Sequence, residues 1–248
     1  LGHAAAPPYH RAAALMRWSD HLRGRSSVIE SKISQFLASD GSSLSMYLIL
    51  RQLFGPLARA RILADPMSVG SLQNGIPAAV ADRLQCDAGD LDSFSATSLY
   101  ELRLYLANTL LRDGDAMSMA HSLEVRVPFL DYKLLEHVWG IPEREKRDVR
   151  LSKPLLLRQV IEQMPREIYD RQKMGFTFPW EIWMRGHLRP QIEAMFMSAR
   201  GAQWETLDQT VCVQLWREFL QRKGGVSWAR VWALYVLCVW VQKNIDTH

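Results

Sequence analysis

Ser118-Met-Ala-His-Ser-Leu-Glu-Val-Arg-Val-Pro-Phe-Leu-Asp131 is the stretch that decides how this chain reads. Upstream, Leu99, Leu102, Leu106 and Leu110 recur at steps of three and four, the spacing of one helical face, and the pattern runs on through Asp115 and Met119. Pro128 pushes Val127 out of the helical region, so the helix has to end before it. The run is therefore a helix tail feeding an extended Val-Pro segment, with Glu124 and Arg126 beside the turn.

Outward from this run, helical signals dominate. Ser27 and Glu30 have the Ser-x-x-Glu spacing of a capping box, which would satisfy first-turn N–H groups that lack a partner inside the helix. Ile29, Ile33, Phe36 and Leu37 follow as an apolar stripe, and Asp40-Gly-Ser-Ser43 breaks it. Further helices are expected over 46–54, 57–63 and 78–84. Ser98 pairs by spacing with Glu101 and is expected to open the next one. Later helices are expected over 134–139, over 153–164 behind Ser152 and closed by Pro165, and over 180–197, 211–220 and 228–243. No alternating run of any length and no internal repeat is evident. The expected class is all-α, with a helical N-terminal segment and loop-rich connection over 1–92 and a helical core over 93–248.

Composition narrows the classes of function. An apolar fraction of 48% and a charged fraction of 23% describe a chain that can bury a core, not a disordered one. The net charge of +4 is spread along the sequence, which argues against nucleic acid. The densest basic run, Arg144-Glu-Lys-Arg-Asp-Val-Arg150, is interleaved with acids and reads as a solvated surface. Cys86, Cys212 and Cys238 are far apart, so no metal-binding spacing exists and a reducing compartment fits. Cys238 sits in an apolar run and reads as a small core residue. That run, Val231 to Val241, is eleven residues, short of the roughly 20 a bilayer requires. A start at Leu1 without Met or a signal-peptide pattern reads as the interior of a longer cytoplasmic protein. Trp228, Trp232, Tyr235 and Trp240 recur along one helix among Val, Leu and Cys, and read as core.

The Ser118–Asp131 run resembles the signature of the asparagine synthetase family (glutamine-hydrolysing type), in the part of the synthetase domain that follows the ATP site. Arg171-Gln-Lys-Met-Gly-Phe176 resembles the family's late lysine loop. The likeness is close over about 95–185 and looser over the last helix. It implies the helical C-terminal portion of an ATP-pyrophosphatase-type domain. The family's Ser-Gly-Gly-x-Asp-Ser pyrophosphate loop and Ser-Gly-Glu-Gly-x-Asp-Glu motif do not occur in these residues. The parallel sheet, ATP and Mg sites and glutaminase nucleophile are accordingly expected in upstream parts of the same polypeptide, its natural partners.

The resemblance implies that Lys173, with Arg171 beside it, stabilises charge on the departing pyrophosphate, where a mobile ammonium acts in a water-poor site. Gly175 lets the loop turn. Asp115, Glu124 and Arg126 are expected on the ATP or acidic-substrate side. The bland alternative is that Glu124 and Arg126 pair with each other or with backbone. His121 stands one helical turn from Glu124 and reads as a structural histidine. ATP and Mg belong to the parent enzyme, with no cofactor expected on this chain alone. Other amide-forming relatives, of the β-lactam synthetase or peptide cyclase type, share the adenylation step. A non-catalytic helical interaction domain is the reading from a different class. An apolar face is expected either to stay exposed or to be covered in a homo-oligomer or by displaced segments of the same chain.

Overall fold

A computed structural model describes residues 28–65, 72, 73, 75–148, 151, 153–170, 178–199 and 201–245. Two compact units emerge. Unit 1 joins Leu1–Ala81 to Thr177–His248, and unit 2 is Asp82–Phe176. This partition is discontinuous in sequence, unlike the linear division at 92.

The described structure is helical, as the all-α reading requires. The short pairing of β1 (Leu72–Gln73) with β2 (Ile76–Pro77) is antiparallel, with Leu72 opposite Pro77 and Gln73 opposite Ile76. No parallel sheet occurs among the described residues.

Unit 1 opens with α1 (Val28–Ala38), α2 (Ser43–Arg51) and α3 (Pro56–Ile62). Ser27 and the Glu30 side chain lie outside the described residues, and with them the expected capping box. The α1 stripe is not a core face: Ile33 and Phe36 are exposed while Ser34 is buried. The break before α2 is an Asp-Gly-Ser turn with Gly41 at φ +75°. Asp40 Oδ1 accepts from the Ser42 amide at 3.0 Å, and Ser42 Oγ caps α2 by accepting from the Ser45 amide at 3.2 Å. The Ser42 amide holds the Asp40 carboxyl below its ordinary range.

The rest of unit 1 is α11 (Trp180–Arg185), α12 (Arg189–Phe196), α13 (Gln203–Thr206), α14 (Gln209–Leu220) and α15 (Trp228–Asn244). The helix expected over 180–197 is broken at Gly186, whose ψ of −112° is not helical. A Cβ there would come within 3.0 Å of the Ile182 carbonyl, and Pro190 then sits in the first turn of α12. Cys212, Trp216 and Phe219 on α14 and Val231, Leu234 and Cys238 on α15 form facing buried stripes. Trp228, Trp232 and Tyr235 pack against this core as expected, but Trp240 is 55% exposed. It falls on the outward side of the helix. A short clip joins the two ends of unit 1. Ala64 donates to the Thr206 carbonyl at 2.9 Å and Asp208 to the Ile62 carbonyl at 2.7 Å, around a bridge between Leu63 and Leu207.

Leading into unit 2, α4 (Ala78–Ala88) buries Ala81, Leu84 and Ala88 on one side. A continuous helical run follows: α5 (Ser93–Tyr100), a π-wound section (Glu101–Leu111) and α6 (Arg112–Met119). It begins five residues before the expected Ser98. Asp92 is the cap, accepting from the Phe94 and Ser95 amides at 3.0 and 2.9 Å, while Ser98 Oγ donates to the Phe94 carbonyl. π winding also shifts the phase, so residues three and four apart no longer share a face. Leu99, Leu102 and Leu106 are part-exposed and Leu110 is 49% exposed.

Beyond the motif come α7 (Tyr132–Trp139), α8 (Glu143–Lys146), α9 (Pro154–Val160) and α10 (Arg166–Tyr169). The helix expected over 153–164 tightens to a 3₁₀ turn at Ile161–Gln163 before Pro165, and Ser152 lies outside the described residues.

Candidate functional site

The motif is built on a helix end. After Met119 the chain turns through Ser122 at φ +57°, and the Leu123 amide donates to the Ser118 carbonyl at 2.9 Å. That bond closes the last turn, and residues 123–127 follow without regular secondary structure. His121 and Glu124 therefore do not stand on successive turns of one helix, and the spacing argument for their facing one way fails. Pro128–Leu130 form a 3₁₀ turn, and Asp131 then caps α7, accepting from Lys133 and Leu134 amides at 3.0 and 3.2 Å. Pro128 and Asp131 thus fix the exit of the segment as firmly as the Ser118 carbonyl fixes its entry.

Glu124 and Arg126 form an ion pair with each other, with both side chains mostly exposed. This is the pairing the plain structural reading expects. An exposed pair contributes little to stability. Asp115 lies on the exposed part of α6, where its backbone carbonyl accepts from Ser118 Oγ at 3.1 Å. Leu123, Val125 and Phe129 are each more than 60% exposed. The motif is thus a projecting ridge with a mixed apolar and charged surface. Arg171, Lys173 and Gly175 lie outside the described residues.

Among the described residues no group of three or more His, Cys, Asp or Glu is placed to hold a metal ion. Burial raises the thiol of Cys212 to about 12 and that of Cys238 to about 11. Both are inert core groups, while Cys86 is exposed. No described helix is long and apolar enough to cross a membrane. Two concave surfaces are lined by residues of α11, α12 and α14 and the turn at Gln221. Arg185, Arg189 and Arg217 converge on one of these surfaces, which sequence reading passes over. The first two are an i, i+4 pair, but Arg217 is distant in the chain and only the fold joins it to them.

Similarity to known proteins agrees with the motif. The glutamine-hydrolyzing asparagine synthetase 1 of Bacillus subtilis (strain 168) is 24% identical over 146 residues, 59% of this chain and 23% of that protein. Asparagine synthetase 3 of the same organism, also glutamine-hydrolyzing, is 41% identical over 73 residues, 29% of this chain and 12% of its own length. A fungal protein, Amidase chry2 of Gibberella zeae, is 28% identical over 105 residues, 40% of this chain and 16% of that protein. The chain thus spans a quarter or less of the length of these relatives. No solved structure matches it. The family model described as asparagine synthase matches residues 4–242, nearly the whole sequence, and the chain belongs to that family.

Proposed function

We propose that this chain works as the helical portion of a glutamine-dependent asparagine synthetase. Its carrying observation is the Ser118–Asp131 run within a family match covering 4–242. In the proposed reaction an aspartate carboxylate oxygen attacks the α-phosphorus of ATP. The bond to the pyrophosphate leaving group breaks and an acyl-adenylate forms. Ammonia released from glutamine then attacks the acyl carbon, expelling AMP and giving asparagine. Lys173, with Arg171 beside it, meets the negative charge that builds on pyrophosphate as it departs. Gly175 gives that loop its turn, and Asp115, Glu124 and Arg126 form a wall of the cleft. The described residues gather no donor set for a divalent ion, so no step is assigned to one.

The sequence holds no phosphate-binding loop of the family type, and the chain covers 23% of the B. subtilis synthetase 1. Both observations support a division of labour in which nucleotide-binding and glutaminase parts of a longer polypeptide complete the site. The chain by itself is accordingly inactive. In the complete enzyme, Lys173→Ala lowers kcat for pyrophosphate release by about 100-fold or more while the KM values for aspartate and ATP change little. A loss confined to KM identifies Lys173 as an ordinary binding or structural lysine and overturns its role. Pyrophosphate release by the isolated chain from ATP and aspartate overturns the division of labour.

A further inference from the structure

Unit 1 holds a cavity of about 370 Å³ lined by Arg185, Arg189, Arg217, Leu220 and Gln221. We propose that this cavity binds a small oxyanion, a phosphate- or carboxylate-bearing molecule. The site uses none of the residues assigned to the adenylation chemistry.

Three guanidinium groups on one small surface repel each other unless acids or an anion offset them. The structure accounts for the charge of one arginine and the position of another. Arg189 Nε pairs with Glu193 at 2.8 Å. Arg185 Nη1 donates to the Leu220 carbonyl at 2.7 Å at the end of α14, and its guanidinium lies 4.2 Å from the Phe219 ring centre. These contacts fix Arg185 as a helix cap, yet its Nε is buried without a hydrogen-bond partner. Arg217 has no ion pair or side-chain hydrogen bond among the described residues. Glu218, next to Arg217 in the chain, lines an adjoining surface and accepts from Gln214 at 2.8 Å. Arg222 and Lys223 follow Gln221 directly and add positive charge. Guanidinium forks match the oxygens of phosphate and carboxylate groups. The volume suits a small molecule.

Titration calorimetry on the full chain at low ionic strength tests this, with inorganic phosphate in one arm and succinate in the other. Saturable binding at one site is expected in at least one arm, and the tighter arm identifies the source of the oxyanion. Arg217→Gln and Arg189→Gln each weaken binding about tenfold. Arg61→Gln, an exposed arginine on α3, and Lys173→Ala leave it unchanged. Circular dichroism of each variant shows that the fold persists. Absence of saturable binding in both arms overturns the proposal. So does binding that survives Arg217→Gln in a folded protein, or binding that disappears with Lys173→Ala.

Discussion

Residues 211–241 and residues 101–131 are both rich in large apolar side chains, yet the structure treats them oppositely. In the first region Trp216, Phe219, Val231 and Cys238 are sealed from solvent by elements that face one another. In the second region no side chain is buried, and Met117, Leu123, Val125 and Phe129 are each at least 61% exposed. Apolar periodicity marks a face that suits burial; a second element must meet it before it becomes core. Unit 1 supplies that partner from its own chain. The motif ridge instead leaves Leu123, Val125 and Phe129 in solvent, interleaved with the exposed Glu124–Arg126 pair.

The sharpest way to break this contrast is to cut into the first region. Trp216→Ala removes a side chain stacked 5.6 Å from Phe219 and edge-on to Phe196. It should cost about 3–5 kcal/mol, read as a lower urea midpoint. A smaller loss shows that the core is loosely packed. Acid probes both units more gently. The Asp40 and Asp92 carboxyls are held below their ordinary range, first by the Ser42 and Ser95 amides respectively. A depressed folded pKa contributes stability above the unfolded value and loses it as pH falls through the folded value. Stability should therefore decline below about pH 4, and Asp92→Asn should blunt the part that belongs to α5, followed by circular dichroism against pH. An Asp92→Asn profile identical to the parent removes that assignment. The smallest effect belongs to the ridge. Val125→Ala should change stability by no more than about 0.5 kcal/mol, because the side chain has no buried contacts to lose. A large loss shows that this face is covered in solution.

Much of this was legible in the sequence. The all-α class, the break at Asp40–Gly41, the helix end before Pro128, the last two helices and the core placement of Trp228, Trp232, Tyr235 and Cys238 all follow from local rules of spacing and backbone restriction. What local rules miss depends on neighbours far away in the chain. Ser98–Glu101 has the spacing of a cap, but Asp92 offers two amides a stronger acceptor and starts the helix earlier. The 180–197 pattern is continuous in hydrophobicity, but one glycine and one proline split it. Residues 123–127 alternate apolar and charged side chains, a strand-like rhythm too short to stand out beside the helices. Of the candidate site, the Glu124–Arg126 pairing was readable as the bland alternative, but the exposure of the motif was not. The arginine cavity was not, because it is assembled by tertiary packing.

The clip between residues 62–64 and 206–208 has a consequence for biosynthesis. Unit 1 cannot close until more than 140 further residues have left the ribosome, since Asp208 must reach the Ile62 carbonyl. Translation at about 5–20 residues per second makes that a wait of several seconds or more. During it, the early helices α1–α3 lack their distant partners, whereas residues 82–176 emerge as one uninterrupted stretch. Nascent chains stalled before residue 206 should be far more susceptible to protease in α2 and α3 than the finished polypeptide.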